Sequence, residues 1–146
     1  MNQKLKDIGR WSLVLPSFIF GWILGLVIVA PFIFFELLMQ LGYNTTFDSV
    51  GLSGLYYSVI YFIVSPLISG GLAIYCGAQV APHHRNTTAV FLFALLLLLS
   101  IYIFTVYDPT IKYNIWWSLG SCVSKIVAGG YVMYQYLKRG GQFKFY

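Results

Sequence analysis

The chain has 146 residues, of which 59% are apolar and only 9% charged, with nine basic and four acidic residues giving a formal net charge of +5. Soluble domains carry about 25% charged residues, so the composition excludes an ordinary water-soluble domain. The basic residues lie between apolar stretches and form no continuous patch, which excludes nucleic acid as a partner, and the two cysteines, Cys76 and Cys122, fit neither a disulfide framework nor a zinc spacing.

Residues 11–35, 49–84 and 86–107 carry no charge, and 113–137 carries only Lys125. A helix needs roughly 20 apolar residues to cross a bilayer, and each stretch is long enough. The predicted fold class is therefore all-α: a single transmembrane domain over residues 1–146, a bundle of four membrane-spanning helices at about 12–35, 55–81, 89–107 and 113–137. The alternation expected of a membrane strand is absent.

Span one follows a basic tail with Lys4, Lys6 and Arg10. Its apolar stretch is too long for a signal-peptide core, and Pro31 follows Ala30, so a retained span is expected. Pro16 and Pro31 fall near its ends. Ser17, Gly21 and Gly25 recur at steps of four, the pattern of a groove in which a second helix can approach closely. The outer loop, 36–54, is rich in turn residues. Asn44-Thr45-Thr46 and Asn86-Thr87-Thr88 match the glycosylation pattern and read as chance occurrences.

Span two carries a second small-residue stripe, Ser69, Ala73, Gly77 and Ala81. Pro66 lies well inside it, lacks an N–H and crowds the preceding turn, which predicts a kink between Phe62 and Pro66. Span three, from Val90 to Leu99, is almost pure Val, Phe, Ala and Leu, and is expected to be the helix most exposed to lipid. Span four has a third stripe, Gly120, Ser124 and Ala128.

Seven basic residues (Lys4, Lys6, Arg10, Arg85, Lys138, Arg139 and Lys144) fall on one side of these spans and Lys112 alone on the other. The positive-inside rule then predicts that both termini are cytoplasmic, with Trp and Tyr marking the boundaries. The segment Gly77-Ala78-Gln79-Val80-Ala81-Pro82-His83-His84-Arg85 resembles the Gly-Ala-x-x-Ala-Pro-x-x-basic stretch of small bacterial four-span inner-membrane proteins. That resemblance implies a multi-pass protein of the inner (plasma) membrane with the same layout, and implies no activity.

Lys125 stands apart. Twelve residues separate it from Lys112 and twelve from Lys138, which puts it near the middle of span four. A charge at that depth costs roughly 3 kcal/mol or more unless paired, neutralised or hydrated. Ser118, Ser121, Cys122, Ala128 and Gly129 share its helical face. Lys125 is thus expected to point into the bundle or a partner. Ser121, Ser65, Ser69 and a carbonyl freed by Pro66 are its candidate hydrogen-bond partners, with Cys122 beside it. No nucleophile–base–acid arrangement, phosphate loop or dinucleotide fingerprint is present. His83 and His84 are adjacent, point apart on an extended chain and lack a third ligand. The sequence therefore predicts no enzyme, cofactor or metal. It predicts a non-enzymatic accessory or assembly subunit of a larger bacterial membrane complex, acting through helix packing, with the lipid bilayer and other subunits, or further copies of itself, as partners. The alternative is a small homo-oligomeric transporter or channel that uses Lys125.

Overall fold

The computed structural model describes residues 3–42, 56, 58–106 and 115–140. Every regular element among them is helical. A short helix α1, Gln3–Ser12, is followed at once by α2, Val14–Gly42. Pro16 explains the break between them. Its ring has no N–H to give Ser12 and crowds that carbonyl, and α1 ends at Ser12. Leu13 bridges the gap: its N–H donates to the Arg10 carbonyl at 3.1 Å and its own carbonyl accepts from Ser17 at 2.9 Å.

The second span begins with a π-helical turn, Ile60–Val64, and continues as α3, Ser65–Val80. Pro66 lies in the first turn of α3 and leaves the Phe62 carbonyl without its α-helical donor. The backbone answers by widening, and Ser65 N–H reaches back five residues to the Ile60 carbonyl. The irregularity thus lies where the sequence predicts a kink. Ala81 is extended, Pro82 stops the helix, and His84 takes a left-handed φ of 55°. The His84 carbonyl accepts both the N–H and the hydroxyl of Thr88, at 3.0 and 3.2 Å, and so launches α4, Arg85–Val106. The last helix is α5, Ile115–Lys138.

By length and composition, three segments can cross a membrane: Val14–Phe35, Ile60–Val80 and Arg85–Thr105. With 24 residues α5 is long enough, about 36 Å at 1.5 Å per residue, but its serines, glycines and Lys125 make it less apolar than the others. Residues 36–42, read from the sequence as loop, continue α2 for two more turns. The rest of that predicted loop, 43–54, lies outside the described residues, as do 107–114.

α3 is the hub and packs against α2, α4 and α5, while α4 also packs against α5. The core sits towards the end of the bundle that holds the α3–α4 turn, where Phe18 of α2, Ile74 of α3, Leu92 and Leu96 of α4 and Tyr136 of α5 are all at most 2% exposed. Tyr136 donates its hydroxyl to the Tyr75 carbonyl at 3.4 Å. Glycine makes this packing possible. A Cβ at Gly21 would stand 2.5 Å from the Leu72 carbonyl oxygen, and one at Gly25 would collide with the Cα of Ser69. The expectation that span three is the most exposed needs correction. Its window is 28% buried, against 22% for Val14–Phe35 and 44% for Ile60–Val80. The reason is geometric: α4 lies against two helices, whereas α2 leans almost wholly on α3.

Candidate polar site at mid-depth

Backbone contact holds Lys125 level with the middle of the Ile60–Val80 segment. A Cβ at Gly70 would stand 2.8 Å from the Lys125 carbonyl oxygen and 3.0 Å from its Cα. Gly70 lies at the middle of the Ile60–Val80 span, so this contact fixes α5 at the same height. One turn along, Ala128 and Val132 pack at ordinary distance over Gly71. Substitution at Gly70 would force the helices apart and carry Lys125 outward.

From α5 the lysine side chain reaches α2. Its Nζ lies 5.7 Å from the centroid of the Trp22 ring, within range for attraction between an ammonium and the negative face of an indole. Trp22 is fixed in turn: Gly21 and Gly25 on either side of it press α2 against α3, and its ring packs edge-on to Phe18 at 6.5 Å. Both Lys125 and Trp22 are partly buried. Among the described residues Lys125 makes no hydrogen bond and no ion pair.

The hydroxyls named from the sequence are placed as follows. Ser65 and Ser69 are buried on α3, and Ser69 spends its proton on the Pro66 carbonyl of its own helix at 3.3 Å. Ser121 is partly buried on the Lys125 helix. Cys122 turns towards α4 and donates to the Ser100 carbonyl at 3.7 Å. None of the four is a hydrogen-bond partner of Lys125. The packing stripes fare unevenly. Gly21, Gly25, Ala73 and Gly77 lie in close contacts, Gly77 with Leu92 and Phe18 beside it. Ser17 is partly buried, Ser124 is buried, and Ala128 meets Gly71. Gly120 differs, with nothing within 4 Å of a Cβ placed there. Among the described residues the third stripe's contacts therefore begin at Ser124.

Sequence reasoning missed Trp22. Tryptophan prefers the membrane edge, so one in the middle of a span is itself the signal that its ring has a polar task. His83 Nε2 faces Asp7 Oδ2 at 3.5 Å, a partly exposed contact linking α1 to the α3–α4 turn. No group of three His, Cys, Asp or Glu side chains among the described residues could share a metal ion.

No protein-family model, curated protein or solved structure matches the chain. An ammonium steadied on one side by an indole can bind an anionic or strongly hydrogen-bond-accepting group.

Proposed function

We propose that the chain is a four-span protein of the bacterial inner membrane, with both termini cytoplasmic, and that it serves as a non-enzymatic assembly subunit of a larger membrane complex. The single observation carrying this reading is Lys125, which has no hydrogen bond or ion pair among the described residues and sits level with the middle of Ile60–Val80, in a bundle whose own helices are locked together at Gly21, Gly25, Gly70 and Gly77. A close-packed scaffold that keeps one costly charge without an internal counter-charge favours completion by another protein, because intramembrane charges pair across helices. The alignment of Lys125 with the middle of Ile60–Val80 supports α5 as the fourth span. Seven basic residues on one side against one on the other support the orientation.

The test is purification from native membranes in mild detergent with mass measurement of the intact particle. A stoichiometric second protein is expected; a particle made of this chain alone would sink the reading. Reporter fusions after Tyr146 and within residues 40–54 are expected to give opposite signals, and equal signals would refute the topology. One observation favours a transporter as the second reading: the π turn beside Pro66 breaks the regular α-helical backbone within a span. Solute or ion flux into liposomes containing only this chain would establish it.

A further inference from the structure

We infer that Lys125 is completed by a carboxylate, an Asp or Glu at the middle of a transmembrane helix of a different membrane protein, and that this helix docks along the edge where α2 and α5 flank α3. The inference rests on the assembly reading above and names the chemistry that the partner must carry.

The charge dictates the occupant. An ammonium has three donors and no acceptor. The Trp22 ring, 5.7 Å away, faces it from one side, and no described hydroxyl, carbonyl or carboxylate hydrogen-bonds to it. Its donors are thus available to an acceptor brought from outside the chain, and the partly buried side chain leaves that approach open. Charge complementarity calls for an anion, and charge-assisted hydrogen bonds are the strong ones. Depth then narrows the source. Headgroup phosphates lie at the membrane edges, whereas Lys125 is level with Gly70 at the middle of a span. A transmembrane helix can carry a carboxylate to that depth with its own backbone fully hydrogen-bonded.

A second copy of this chain does not fit. Its four acids, Asp7, Glu36, Asp48 and Asp108, all fall outside the uncharged stretches, so none belongs to the middle of a span. The partner is accordingly a different protein. Lys125 itself cannot swing away from the docking edge, since its backbone is pressed against Gly70. Trp22 holds the ammonium at the α2 side, where the incoming helix would find it already oriented.

The experiment uses the full chain in vesicles and a fluorescent probe helix of about 20 residues, mostly leucine, with one central Asp. Control probes carry Leu or Lys at that position, and binding is read by energy transfer. The Asp probe is expected to bind about tenfold more tightly than the Leu probe. Lys125→Met should erase that advantage, and Lys125→Asp should transfer it to the Lys probe. Equal binding of the Asp and Leu probes to the unaltered chain, a comparison that requires no variant to fold, would overturn the inference. So would an advantage that survives in Lys125→Met, or one abolished by adding phosphatidylglycerol to the vesicles, which would give the site to a headgroup. Native purification separates this idea from the reading beneath it. A second protein that stays with Lys125→Met overturns the carboxylate but leaves the assembly role standing. No second protein with the unaltered chain overturns both. One that is lost with Lys125→Met, and also when its own mid-span acid is replaced by Leu, supports both.

Discussion

A methyl group at position 25 would fall on the Cα of Ser69, an atom that cannot move without shifting α3. Gly25→Ala is therefore expected to destabilise the bundle by about 1–3 kcal/mol, the range for overpacking a tight contact. Gly120→Ala adds the same methyl on an open face and should be neutral, or stabilising by up to about 1 kcal/mol through helix propensity. Reversible unfolding in mixed micelles measures both, and equal effects would refute the contact map at α2 and α3. The sign reverses at Lys125. Replacing it by Met removes a charge that costs roughly 3 kcal/mol at mid-depth and gives up about 1–2 kcal/mol of attraction to an indole. The purified single chain should thus become more stable by about 1–2 kcal/mol. A clear loss of stability would mean that the lysine serves the fold rather than a partner. Lys125 was legible in the sequence because one charge interrupts an otherwise uncharged stretch. Trp22 was not, because it counts as apolar in any hydropathy sum and only the packing of α2 on α3 brings it near the lysine.

Pro66 illustrates how far a sequence signal carries at the level of an element. A missing N–H inside a span dictates an irregularity, and its position was readable from the chain. Its form was not, since a kink, a 3₁₀ stretch and a widened turn all relieve the same lost hydrogen bond. The widened turn inserts one residue, which rotates everything outward of it by about 100°. Pro66→Ala restores the donor to the Phe62 carbonyl and is expected to draw Ile60–Val64 back towards an α-helix. Tyr61, now 47% exposed, should then turn relative to its neighbours. Thiol labelling of a Tyr61→Cys variant, with and without Pro66→Ala, reads that rotation, and unchanged labelling would show that the wide turn does not depend on proline. The other element-level differences share one cause. Charge-free windows locate apolar segments, but a helix keeps going while its backbone is satisfied, so α2 continues to Gly42 and α1 forms in the basic tail. Likewise, hydropathy says that α2 and α4 are apolar, and only the three-dimensional arrangement says which of them has two neighbours.

For the whole molecule, the hub position of α3 has a consequence for how the chain is made. The second span leaves the ribosome long before the fifth helix exists, yet Gly70 and Gly71 are shaped for Lys125 and Ala128. Until synthesis reaches Lys138, that face of α3 has no match within the nascent chain. α5, for its part, has too little hydropathy to partition into lipid as readily as the three segments before it. Its entry is then expected to be a folding event rather than a partitioning event, in which the glycine face of the helices already inserted recruits it sideways. This gives a test unlike those above. Gly70→Leu blocks the receiving surface and is expected to leave α5 outside, so that a reporter after Tyr146 switches sides while one within residues 40–54 does not. Adding Lys125→Leu should restore the original signal by letting α5 enter on hydropathy alone. If Gly70→Leu leaves the reporter unmoved, the translocation machinery inserts each helix on its own merits. A captured last helix would also make orientation a checkpoint, because a chain that fails to fold would display its C-terminus on the wrong side of the membrane, open to proteases there.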